Sequence, residues 1–193
     1  MLFNIDWKSS FVQNILKLFS GTSLRNLIVF LTLPILTRLY TTEDFGNFEL
    51  LISITTLLGM VGSLKYDVAL VIPQYRKEAH HVVVLALVAL GVFTLIMGGI
   101  LYVQGDRFLK VLNASQLAPY IHYLIVGVLF LGFMQILRFW LIRHKAFGFS
   151  AIAQVTQAVL TQGGAIVLGL IRPSFFGLFI SYIGGMAGAA LLI

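Results

Sequence analysis

Arg25 stands inside an apolar stretch, seven residues after Leu18. A charged side chain near the centre of a bilayer costs at least about 2.5 kcal/mol on insertion scales. Two placements relieve that cost. Either Arg25 faces a water-filled lumen and meets an anionic substrate, or it snorkels to the interface from a helix starting nearer Gly21. Thr22 and Thr32 lie at i−3 and i+7 from it, on the same helical face, and Gly21 leaves room beside it. Pro34 is expected to break or bend the helix further on.

Two acids stand nearest to membrane depth. Glu49 opens an apolar run, where its charge favours the positive end of a helix dipole or serves in a gate or ion pair. Asp67 follows the far end of that run in Lys65-Tyr66-Asp67. Lys65 and Asp67 pair locally, or Asp67 answers a base of the segment 138–145, which begins at Arg138. These residues suit a structural pair or a gate more than direct substrate contact. A later run carries Gln154, Gln157 and Gln162, and Ala153, Gln157, Thr161 and Gly164 fall on one small and polar stripe. Amides in hydrocarbon need partners, so this face points into the bundle, for interhelical hydrogen bonds or for a hydroxyl-rich ligand. Gly184 and Gly188 have the spacing of a close helix contact. His80 and His81 are adjacent and project to different faces, while His122 and His144 are isolated, so no metal site is expected. No phosphate-binding glycine loop, Ser/His/Asp set or nucleotide motif appears, so no catalytic residue, cofactor or ATP-driven step is expected either.

The elements that must hold these residues follow from composition. Of 193 residues, 59% are hydrophobic and only 10% charged, with a mean hydropathy of +0.98. A soluble domain of this size could not bury so much apolar side chain, and a disordered chain would be poorer in aromatics. With no cysteine, a disulfide scaffold, a thiolate metal site and a cysteine nucleophile are excluded. Six continuous apolar runs, 18–36, 48–64, 82–103, 121–137, 151–171 and 174–193, each approach the roughly 20 residues that cross a bilayer as a helix. Their continuity excludes a β-barrel, whose strands alternate. The expected fold is an all-α integral membrane protein, a six-helix transmembrane bundle over 18–193 preceded by an interfacial amphipathic lead-in over 1–17. Thr41, Thr42, Glu43 and Asp44 suit the start of the second helix. The last run has no polar flank, and the expectation is a chain truncated at its C-terminus. The net charge of +6 reports on topology, because Lys and Arg are scattered between the runs and form no patch for nucleic acid. Eight of them fall on one side and four on the other, which places the N-terminus in the cytoplasm.

Several segments, in order, resemble the polysaccharide biosynthesis (oligosaccharide flippase) family. They are Gly21-Thr22, Leu36-Thr37-Arg38-Leu39-Tyr40-Thr41-Thr42-Glu43-Asp44-Phe45-Gly46, Lys65-Tyr66-Asp67-Val68-Ala69-Leu70-Val71-Ile72-Pro73 and Trp140-Leu141-Ile142-Arg143-His144-Lys145-Ala146-Phe147. The resemblance implies one half of a flippase of twelve to fourteen helices in the bacterial inner membrane. Such proteins move undecaprenyl-diphosphate-linked oligosaccharides to the outer leaflet by alternating access, in O-antigen and other surface polysaccharide synthesis. Their cavity is cationic, which makes Arg25 a cavity residue by location. The implied partners are the lipid-linked oligosaccharide, membrane lipids, polysaccharide polymerase and assembly proteins, and a C-terminal bundle or second copy. Two other readings stay open: a cation-coupled drug exporter of the same superfamily, and a non-transporting scaffold for polysaccharide enzymes. A membrane-embedded glycosyltransferase would need catalytic carboxylates and a larger loop than any here.

Overall fold

A computed structural model describes residues 10–62, 64–70 and 76–193, with side chains from Phe19 onward except those of 67 and 76–78. Among the described residues the chain is α1 (Ser10–Leu39), α2 (Thr42–Gly62), the single turn α3 (Tyr66–Ala69), α4 (Arg76–Val111), a 3₁₀ segment (Ser115–Tyr120), α5 (Ile121–Arg143), α6 (Phe147–Ile171) and α7 (Phe175–Ala190). Five of the helices are long and apolar enough to cross a membrane, and the fold is an all-α membrane bundle. The last run forms the sixth, shorter apolar helix of the bundle. α7 has 16 residues, about 24 Å at 1.5 Å per residue, against a hydrocarbon core of about 30 Å.

Residues 1–9 lie outside the described residues, and from Ser10 the backbone is already the start of α1. Pro34 does not break α1, which runs on to Leu39. Hydroxyls on either side of it bond back onto the helix: Thr32 donates to the Ile28 and Val29 carbonyls at 2.8 and 3.0 Å, and Thr37 to that of Pro34 at 3.1 Å. The break falls instead in α4, at Gln104, with φ −128° and ψ 20°.

α6 packs against α7 and α1, α5 packs against α2 and α4, and α7 touches both α5 and α2. Small residues set these contacts. A methyl at Gly21 would lie 2.6 Å from the Ala151 Cβ, so α1 and α6 cross in near backbone contact there. Gly21 therefore makes room for α6 rather than for Arg25. Between α6 and α7 the close approach is at Gly185, where a methyl would overlap the Thr161 hydroxyl, and at Gly188, where one would overlap Leu160. Gly184 faces open space.

The α1–α2 turn is locked to the α6–α7 turn. Tyr40 is buried, its ring lies in a notch left by Gly169 and Gly177, and its hydroxyl donates to the Ala165 carbonyl at 2.7 Å. Burial, and then the Asp44 carboxylate, hold that phenol above its ordinary pKa, so it stays a donor. Thr41 and Asp44 form a reciprocal helix cap: the Asp44 N–H donates to Thr41 Oγ1 at 3.1 Å, and Asp44 Oδ2 accepts from the Thr41 hydroxyl at 2.7 Å. The second oxygen, Oδ1, accepts from the Phe175 N–H at 2.8 Å, at the first residue of α7.

Candidate functional site

A cavity of about 300 Å³ opens between α1, α2, α6 and α7. Arg25 enters it from α1, Glu49 from α2, Gln157, Thr161 and Gln162 from α6, and Tyr182 from α7. Apolar side chains, among them Val29, Phe48 and Leu178, make the rest of the wall. Helical periodicity builds the polar side: Gln157 and Thr161 are four residues apart and share a face, and Arg25 points toward them from the helix that crosses α6 at Gly21.

Glu49 stands elsewhere than the sequence placed it. α2 begins at Thr42, so Glu49 lies about two turns inside and outside the reach of a helix-start dipole. It lines the same cavity as Arg25, and the two make no ion pair among the described residues. The Arg25 guanidinium donates to the Asn26 side chain at 3.2 Å. Tyr182 lines the cavity with Arg25 and Glu49, and its ring meets Phe48 edge-on at 5.8 Å between centroids.

A polar track continues along α6 from this cavity. Gln157 also lines a crevice of about 20 Å³ with Arg138, Ser150 and Gln154. Thr22 donates to Gln154 Oε1 at 3.2 Å, so α1 and α6 are tied where the track begins. Thr161 is held differently, with its hydroxyl buried against Gly185 and making no hydrogen bond within the described residues.

The structure thus brings Arg25, Gln157 and Thr161 together with Glu49, and places Thr22, Gln154 and Arg138 next along the track. Thr32 stays apart, because its hydroxyl is taken up by its own helix backbone. Lys65 is exposed in the turn after α2 with a left-handed φ of 61°, remote from the cavity lining. The Asp67 side chain lies outside the described residues. Nearby, Arg143 donates to the Leu70 carbonyl at 2.9 Å and ties α3 to the end of α5. Sequence reasoning missed Tyr182 and Phe48. The available signal was Tyr182 itself, a hydroxyl-bearing ring in the middle of the last apolar run.

A multihelix bundle with a mixed-charge cavity fits many transporters, and the sequence decides among them. The profile of the polysaccharide biosynthesis protein family matches residues 11–193. The chain belongs to that family. No curated protein and no solved structure matches at the threshold of significance. The family match spans every described helix, from α1 to α7, and includes all the cavity residues.

Proposed function

We propose that the bundle is one wall of a translocation pathway that carries a lipid-linked oligosaccharide of the undecaprenyl-diphosphate type across the bacterial inner membrane. The observation that carries this reading is the α1–α2–α6–α7 cavity, where Arg25 meets Gln157, Gln162 and Tyr182. A guanidinium suits a diphosphate, and amides with a phenol suit sugar hydroxyls. A facing bundle, from the same polypeptide or a second copy, closes the pathway and lets it alternate. Arg138, at the end of the polar track, and Lys65 with Asp67 beyond it act as a cytoplasmic gate in the N-in orientation. Polymerase and assembly proteins are the partners of such a step, with no enzymatic role for this chain. The decisive experiment is Arg25→Ala in cells that depend on this protein for surface polysaccharide. The expected result is severe loss of polysaccharide at normal membrane abundance. Unchanged polysaccharide would remove Arg25 from the pathway.

The position of Glu49 favours a second reading, a cation-coupled exporter of the same superfamily. A carboxylate two turns inside a membrane helix is a site for H⁺ or Na⁺. Drug resistance that is abolished by Glu49→Gln, with polysaccharide unaffected, would select it.

A further inference from the structure

A second cavity, of about 680 Å³, lies elsewhere, at the break in α4. That volume is within the range of small-molecule sites, about 300 to 1,000 Å³. Gly105 is buried beside the break, with the end of the Ile121 side chain of α5 packed against it. The break turns Gln104, Asp106 and Arg107 toward the same groove as His122 of α5. These four side chains are exposed and make no hydrogen bond or ion pair among the described residues. Tyr102, also on the lining, is 84% exposed, although the same helix buries Leu101 and Leu109 beside it. The groove is at the end of the bundle that carries the α1–α2 and α6–α7 turns, opposite the end reached by the polar track toward Arg138.

The chemistry of this groove differs from that of the inner cavity. One carboxylate and one guanidinium, neighbours in sequence, cancel in net charge, so the groove has no preference for a phosphate or another anion. A carboxylate, a guanidinium, an amide and an imidazole offer paired donors and acceptors of the kind that vicinal hydroxyls satisfy. An exposed phenol ring supplies an apolar face with a polar tip. We infer that the groove binds a neutral sugar unit, and that it holds the outer part of the glycan at this end of the bundle while the inner cavity holds the charged headgroup and the sugar next to it. The glycan assignment rests on the translocation reading above, but sugar binding by the groove is testable without it.

The test uses the protein in nanodiscs, fluorescently labelled and applied to an array of short neutral and amino-sugar oligosaccharides lacking any lipid. The wild type is expected to bind a subset of the array. Asp106→Asn combined with Gln104→Ala weakens that binding by about tenfold or more, a loss of about 1.4 kcal/mol. Tyr102→Ala does the same, and because the ring is 84% exposed its removal takes little packing from the bundle. Val159→Ala, on the part of α6 outside both cavities, retains array binding. An array with no bound spots, or binding unaltered by both groove variants, overturns the inference. So does a groove that, in native mass spectrometry, retains anionic phospholipid and loses it on Arg107→Gln. Array binding that is lost in the groove variants, while surface polysaccharide is unaffected by Arg25→Ala, would overturn the translocation reading and leave the sugar site standing.

Discussion

Asp44 serves two helices with two oxygens. Oδ2 completes the cap that starts α2, and Oδ1 takes the first N–H of α7. Replacement by alanine frees both, and the expected cost is about 1–2 kcal/mol of bundle stability, read as a lower unfolding midpoint in detergent. Tyr40→Phe keeps the ring in its glycine notch and removes only the bond to Ala165, so its cost is smaller, about 1 kcal/mol. A midpoint for Asp44→Ala equal to that of wild type would mean water substitutes fully for the carboxylate. The cap was legible in the sequence, because a threonine followed by acids is a local pattern. The grip on Phe175 was not, because a contact 131 residues away leaves no trace in spacing. The same limit hid the fact that Arg25 and Glu49 line one cavity, although each residue was conspicuous by itself.

At the scale of elements, the sequence pointed to the right helices and to the wrong glycine. Gly184 and Gly188 share the four-residue spacing of close contacts, yet the surface that meets Thr161 belongs to Gly185. Register around a helix axis is set by which neighbours arrive, and composition does not contain that. Gly184→Ala is therefore expected to leave stability unchanged or raise it by up to about 1 kcal/mol, through helix propensity alone. Gly185→Ala forces Thr161 and the α6 backbone to move, at an expected cost of about 1–3 kcal/mol. Thermal unfolding of the two variants side by side checks the register, and the opposite order of midpoints would refute it. The break point of α4 has a similar explanation. Pro34 lies within a span, where open backbone has no water and the helix stays closed. Gln104 lies about 40 Å along α4 from Arg76, beyond the hydrocarbon thickness, where a break is solvated at little cost.

Across the whole molecule, the question is which faces meet water and which meet lipid, and composition answers only in part. Both Gln157 and Val159 lie on α6, and half of Val159 is exposed, yet Gln157 lines the cavity and Val159 does not. Exposure in the bundle does not distinguish a wet lumen from an acyl-chain surface. The reactivity of a thiol does, because only the thiolate attacks and it forms only where water reaches it. The chain has no cysteine, so a single introduced one reports without background. Gln157→Cys and Tyr182→Cys are expected to react with a charged, membrane-impermeant methanethiosulfonate, and Val159→Cys to stay unlabelled. If the α1–α2–α6–α7 space is a translocation cavity, a diphosphate-bearing lipid added beforehand also slows labelling at Gln157→Cys and Tyr182→Cys. Equal labelling at all three positions would mean that the helices splay and no enclosed cavity exists. Labelling at none would mean that the polar residues satisfy one another in a dry core. In that case the amide stripe of α6 is interhelical glue, and Arg25 acts on packing rather than on a substrate.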